Sequence, residues 1–208
     1  MNNFLQQGLT KYLETTELSK IKNTKILIAG AGGVGSNAAM LLVRCGFEKI
    51  TIIDYDELEP SNLNRQFFFN EQVGTLKVCG LKENLLKINH QATITIIKER
   101  LTVDNVNNLI KNQDIILEAF DDIIVKKIIV EACHLLAKHI IAVSGIAGIG
   151  NSDKIVIRKI NNRFYMVGDF ESDINLALPP LAPKVMIAAA KQVDIVLELV
   201  IGNKEIAT

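Results

Sequence analysis

Lys25-Ile26-Leu27-Ile28-Ala29-Gly30-Ala31-Gly32-Gly33-Val34-Gly35, then an apolar segment from Ala38 to Val43, then Ile50-Thr51-Ile52-Ile53-Asp54, is the stretch that decides the fold. An apolar burst, a glycine turn, a second apolar segment and a β-branched run read as strand, turn, helix and strand, ending in an acid. Gly30 permits the tight turn, Gly32 lets backbone approach a phosphate, and Gly35 lets the helix pack close to the strand. The helix N-terminus offers free N–H groups and a partial positive charge to an anion. Asp54 follows at about the 20-residue spacing at which an acid meets ribose hydroxyls. This combination predicts nucleotide binding, with a purely structural glycine turn as the alternative.

The 208 residues suit one domain spanning 1–208, with residues 1–22 as an N-terminal helical extension. A hydrophobic content of 49% and a charged content of 22% describe an ordinary globule with a sizeable core. Formal net charge is zero, and no Lys/Arg cluster interleaves with aromatics, so nucleic acid is not an expected partner. No apolar run reaches the ~20 residues of a membrane span. The mixed, polar stretch from Met1 to Thr16 does not read as a signal peptide. Cys45, Cys79 and Cys133 are scattered, each in an expected helix. They are read as small core residues in a reducing, cytoplasmic setting.

Outward from the glycine turn, the alternation of elements continues. Phe4 to Glu14 and Leu18 to Lys22 read as helices, with Leu5, Leu9 and Leu13 on one face. Beyond Asp54, Ser61 is the expected N-cap of a segment that is polar through Asn62, Asn64, Arg65 and Gln66 and then anchored by Phe67-Phe68-Phe69. Gly74 to Ile88 reads as a helix with Leu81, Leu85 and Ile88 on its apolar face. Lys77 sits in its first turn, against the helix dipole. Ala92–Ile97, Asp114–Glu118 and Ile140–Val143 read as strands. Val103–Lys111 and Ile123–Lys138 read as helices, the second capped by Asp122. Ser144 to Gly150 is a second glycine-rich stretch, read as a flexible crossing or as close backbone packing. Asp153–Ile160 and Phe164–Val167 flank Asn161-Asn162-Arg163 as a hairpin. Val185–Val200 is apolar nearly all round and is expected to be buried on more than one side, with a subunit interface as one wall. The fold class predicted is α/β: a Rossmann-like, mostly parallel sheet flanked by helices, with short antiparallel strands appended at its C-terminal end.

The glycine turn, Asp54, the Asn62/Arg65/Gln66 segment, Lys77 and Asp121 should converge at one sheet edge. A hydride-transferring, NAD-dependent enzyme would use the first two and leave Arg65, Lys77 and Asp121 idle. Two cations and an acid able to hold a metal suit a triphosphate, so nucleotidyl or phosphoryl transfer is favoured.

These residues also carry a family resemblance. Gly30-Ala31-Gly32-Gly33-Val34-Gly35-Ser36, Asp54-Tyr55-Asp56, Ser61-Asn62-Leu63-Asn64-Arg65-Gln66, Gly74 with Lys77, and Phe120-Asp121 resemble the ubiquitin-activating-enzyme-like superfamily, over nearly the whole chain. The short length, the stretch from Ser144 to Asp153 and the Pro179-Pro180 turn look most like its compact ThiF branch. The resemblance implies an ATP site built from Gly30, Gly32, Gly33, Gly35, Asp54, Asp56, Asn62, Arg65, Gln66 and Lys77. Asp54 would be on the ribose, and Asn62, Arg65 and Lys77 on the triphosphate. It implies Arg65, Lys77 and Asp121 as catalytic residues, with Asp121 on Mg²⁺. The C-terminal carboxylate of a small ThiS-like sulfur carrier would attack the α-phosphate, and a sulfur donor protein would capture the product in thiamine thiazole synthesis. A homodimer is implied. A tRNA-modifying dehydratase that activates a small carboxylate, a dinucleotide-dependent oxidoreductase and a catalytically silent binding module are the alternatives. Many relatives carry two Cys-x-x-Cys pairs for zinc, and this chain has none. No cysteine follows Cys133, so no zinc and no covalent protein intermediate are expected. Asp121-Asp122 stands where relatives have Asp-Asn. Lys11 is the nearest counterpart of an arginine that reaches the partner's site.

Overall fold

β-Branched runs become strands wherever both faces can be covered, and that accounts for the central strands of this sheet. In the computed structural model, which describes residues 3–172 and 177–202, seven strands form: β1 (Lys25–Ala29), β2 (Lys49–Ile53), β3 (Thr93–Ile97), β4 (Ile115–Glu118), β5 (His139–Val143), β6 (Val156–Asn161) and β7 (Phe164–Gly168). They make one sheet in the order β3-β2-β1-β4-β5-β7-β6. Every neighbouring pair is parallel except β6 with β7. The helices are α1 (Phe4–Leu9), α2 (Thr15–Asn23), α3 (Gly33–Arg44), α4 (Lys77–Ile88), α5 (Val106–Ile110), α6 (Ile123–Leu135) and α7 (Ala182–Ile201). The predicted α/β class and the appended hairpin are both borne out.

Period-two alternation along β1 divides the core. Ile26 and Ile28 face a layer made by α2, α3, α4 and α7, with Phe47, Leu81 and Val193 among the side chains they join. Leu27 and Ala29 face α5 and α6. The connection after β1 leaves to the first face and the connection after β4 to the second. The carboxyl ends of adjacent β1 and β4 therefore form the switch point where ligands of such sheets bind.

Several local expectations are corrected. The first helix stops at Leu9, and Leu9 Cδ1 lies against Gly46, whose positive φ turns the chain out of α3. Cys45 lies just past α3 rather than inside it. Ser61 is not an N-cap: it sits within a single 3₁₀ turn, Pro60–Asn62, preceded by Glu59. Of the three aromatics only Phe68 is buried; Phe69 is 45% exposed and meets Phe67 edge-on. α4 starts at Lys77, because Gly74 holds a left-handed turn. The second glycine-rich stretch is close packing, since Ala147 is pinned at both ends of its residue. Its N–H donates to Ser172 Oγ at 3.0 Å and its carbonyl accepts from Lys184 Nζ at 2.8 Å. α7 is buried through Val185, Ala188, Ala189, Gln192, Val193, Ile195 and Val196, mostly against α3 and the sheet. Met186, Ala190, Asp194 and Glu198 make an exposed stripe along it. No helix among the described residues is long and apolar enough to cross a membrane.

Candidate active site

The glycine turn is shaped by what surrounds it. A Cβ on Gly35 would lie 1.8 Å from the carbonyl oxygen of Gly30, so the first turn of α3 can approach β1 only with glycine there. Gly32 is different: a Cβ there would meet only Gln66 Nε2, at 4.0 Å, so space is left open above the α3 N-terminus. That opening, at the end of a helix of three turns, is the feature a phosphate requires.

Asp54 braces this turn. It is buried, and its Oδ2 accepts from Ala31 N–H at 2.6 Å while Oδ1 accepts from Asp56 N–H at 2.8 Å. Burial pushes its carboxyl above the usual range, opposed by those two N–H groups and by Lys77. Each carboxylate oxygen keeps a further lone pair for a hydroxyl. Lys77, which sequence placed against the helix dipole, has its answer in Asp56: Nζ lies 2.8 Å from Asp56 Oδ2, and Lys77 N–H donates to the Asp56 carbonyl.

The Asn62–Gln66 segment is tied to the start of α3 by Ser36, which stands at the end of the glycine motif with no role foreseen for it, and by Asn37, which sequence reasoning passed over. Ser36 Oγ accepts from Phe67 N–H at 3.0 Å, and Asn37 Nδ2 donates to the carbonyls of Gly33 and Arg65. Both side chains are buried, and the only hint in the sequence is two polar residues on an otherwise apolar helix. The stem of Arg65 consequently runs beside Gly33, with its Nη1 donating to the Ser61 carbonyl and to Asn64 Oδ1. Burial lowers the Arg65 pKa and the charge of Asp121 opposes it, so the two groups sense each other across the site. Gln66 is buried with Oε1 unpartnered among the described residues. Asn62 turns inward, and its Oδ1 accepts from Glu59 N–H at 3.1 Å.

Asp121 follows β4, exposed, and its side chain makes no hydrogen bond among the described residues. Asp122 caps α6, accepting from Ile124 and Val125 N–H at 2.8 and 3.3 Å, and pairs with Arg100 at 3.1 Å. Those backbone N–H groups hold its carboxyl below the usual range. No cluster of three or more His, Cys, Asp or Glu suited to a metal occurs among the described residues. One free carboxylate beside a cation-lined opening fits Mg²⁺, which takes one or two carboxylates and completes its shell with phosphates and water. Sequence reasoning also missed Glu118 and Lys126, an ion pair at 2.9 Å behind Asp121. An acid closing an apolar strand and a lysine at the end of the first turn of the next helix were the available signal. Grooves at residues 10–16 and at the amino ends of β1, β4 and β5, the latter lined by Thr24, Asp114 and His139, lie away from these residues.

Comparison with known proteins adds three findings. The sequence model of the ThiF family matches residues 6–206. The adenylyltransferase and sulfurtransferase UBA4 of Candida albicans is 36% identical over 132 residues, 63% of this chain and 30% of that protein. The adenylyltransferase and sulfurtransferase MOCS3 of Aedes aegypti is 35% identical over 128 residues, 61% of this chain and 29% of that protein. The chain therefore spans under a third of the length of these curated relatives. Among solved structures, the Escherichia coli tRNA N6-threonylcarbamoyladenosine dehydratase TcdA, in complex with ATP, superposes with a TM-score of 0.84 over 93% of this chain and 92% of that one, at 22% identity. Escherichia coli MccB with ATP gives a TM-score of 0.72 over 96% of this chain and 64% of that one, also at 22% identity. At that identity the likeness speaks to the fold.

Proposed function

The chain belongs to the ThiF family, and from that premise we propose that it is an adenylyltransferase, activating a carboxylate with ATP to form an acyl-adenylate and pyrophosphate. The observation that carries this reading is the convergence of Arg65, Lys77 and an exposed Asp121 around an open glycine turn, at the switch point of the sheet.

Each residue has a part in the proposal. Phosphate oxygens meet the α3 N-terminus over Gly32 and Gly33, with Gly30 and Gly35 holding the turn in shape. Asp54 accepts from the ribose while continuing to brace Ala31. Lys77 exchanges Asp56 for phosphate. Arg65 swings its guanidinium toward the same charge, and Asn62 and Gln66 supply amide groups at the segment's base. Mg²⁺, held by Asp121 with phosphate oxygens, would neutralise charge on the leaving pyrophosphate. The acceptor carboxylate is ionised at neutral pH, so no side-chain base is needed, and the chain's contribution is positioning and charge. Cys133 lies buried in α6 and its thiol is pushed up to about 12, which supports a reaction without a covalent protein intermediate.

We further propose that the acceptor is the C-terminal Gly-Gly carboxylate of a small ThiS-like sulfur carrier in thiamine thiazole synthesis. A sulfur donor protein takes the adenylate, and a cytoplasmic homodimer does the work. The similarity to UBA4 and MOCS3 supports activation of a carboxylate. The compact-branch features between Ser144 and Pro180 support the choice of carrier. ATP–pyrophosphate exchange, measured with such a carrier, with the carrier lacking its terminal glycine and with small free carboxylates, tests it. Exchange that depends on the intact carrier tail is expected. Exchange driven by a small carboxylate alone would replace the carrier with that substrate, and no exchange with any acceptor would end the adenylation reading.

A further inference from the structure

Behind the exposed carboxylate of Asp121 lies a network that the adenylation chemistry does not use. Glu118, the last residue of β4, is completely buried. Its Oε1 accepts from the N–H of Phe120 at 2.7 Å, so the side chain folds back over the turn that leads to Asp121. Lys126, from α6, closes on it with Nζ at 3.1 and 2.9 Å from the two carboxylate oxygens, and the same ammonium donates to the Val143 carbonyl at the end of β5 at 2.9 Å. Beneath them Gln192 of α7 donates to the carbonyls of Glu118 and Ile141. On the far side of Asp121, Asp122 is held by the α6 N-terminus and by Arg100. The backbone of Asp121 is thus gripped on both flanks while its own side chain points free.

We propose that the Glu118–Lys126 pair is a positioning unit for Asp121, setting the 118–121 turn so that the Asp121 carboxylate faces a divalent cation bound with the nucleotide. This rests on the adenylation reading. A buried carboxylate with both oxygens occupied has one orientation, and Lys126 transmits the position of β5 and α6 to it. Without Lys126 the carboxylate would be left uncompensated in the core and would protonate or move, releasing Phe120 N–H. The partners that orient a metal-binding side chain are commonly worth about 10- to 100-fold in metal affinity.

The experiment is calorimetric titration of ATP into the full chain, in Mg²⁺ and in EDTA, reading the ratio of the two affinities. In the wild type Mg²⁺ should tighten binding. Lys126→Met should shrink that ratio by about tenfold without changing affinity in EDTA, and Lys126→Arg should restore most of it. Asp121→Ala should abolish the ratio, and adding Lys126→Met to Asp121→Ala should change nothing more, which a merely structural role would not produce. Should Lys126→Met not fold, Glu118→Gln with Lys126→Met leaves no unpaired charge and enters the same cycle with the same expected loss. An unchanged ratio, an equal loss in EDTA, or additive losses in the Asp121→Ala background would each overturn the proposal. A wild type indifferent to Mg²⁺ would overturn it too. A wild type that binds no ATP at all would instead remove the adenylation reading, and this inference with it.

Discussion

Arg65→Ala removes a charge that has no apolar packing to lose beyond its stem, so its cost should fall on the reaction and not on the fold. Pyrophosphate exchange is expected to drop by at least about 10², since a charge-assisted contact to a developing anion is worth ~3 kcal/mol in the barrier. Asp121→Ala should fall as far, and circular dichroism should show both variants folded. Asp122→Ala is a different test, because Asp122 is the N-cap of α6 and the partner of Arg100. Its folded pKa is depressed, so its contribution to stability is present above the unfolded value, near pH 4, and disappears as pH falls through the folded one. Melting curves should therefore separate Asp122→Ala from wild type at pH 6 and let them converge toward pH 3. Exchange by Asp122→Ala should exceed that of Asp121→Ala; equal inactivity with an unchanged melting temperature would move the metal-binding role to Asp122. Cys133, its thiol raised to about 12, stays protonated throughout the neutral range, so iodoacetamide at pH 8 should leave it unmodified in the native protein. At this scale the sequence made Arg65, Lys77 and Asp121 visible because their motif is local. The roles of Ser36, Asn37, Glu118 and Lys126 were not visible, because their partners come from other elements and nothing near them in the chain names those partners.

The glycine turn is the element whose tolerance is smallest. Gly35→Ala places a methyl carbon 1.8 Å from the Gly30 oxygen, far inside van der Waals contact, and neither backbone can retreat without parting α3 from β1. Urea unfolding should show a loss of ~3 kcal/mol or more, among the larger effects of a single methyl group. The strands were legible because β-branched runs and alternation are local signals. The place of β7 was not: Asn161-Asn162-Arg163 announces a hairpin, but whether its second strand then joins β5, and in parallel, depends on which sheet edge is free. Helix starts shifted for a similar reason. Gly74 reads as part of a helical run until its positive φ ends that reading, and the beginning of α4 is set instead by the bond from Lys77 N–H to Asp56.

For the molecule as a whole, calorimetry should find Mg·ATP bound and NAD much weaker, since Arg65, Lys77 and Asp121 gather where a nicotinamide cofactor would have no use for them. Elemental analysis should find no stoichiometric zinc in the purified chain, and about one zinc per chain would refute the reading of its cysteines. Light scattering is expected to give a homodimer at micromolar concentration. A monomer would fit the observation that α7 spends most of its apolar surface on α3 and the sheet. That same packing has a consequence in time. The glycine turn leaves the ribosome well before α7, yet it is closed by Val185, whose Cγ1 lies 3.0 Å from where a side chain on Gly33 would begin. The strand ends beside it wait for Gln192. A nascent chain that has finished β5 already carries every residue of the proposed nucleotide site and still lacks the wall that seats them, so competence to bind should arrive only once α7 has emerged.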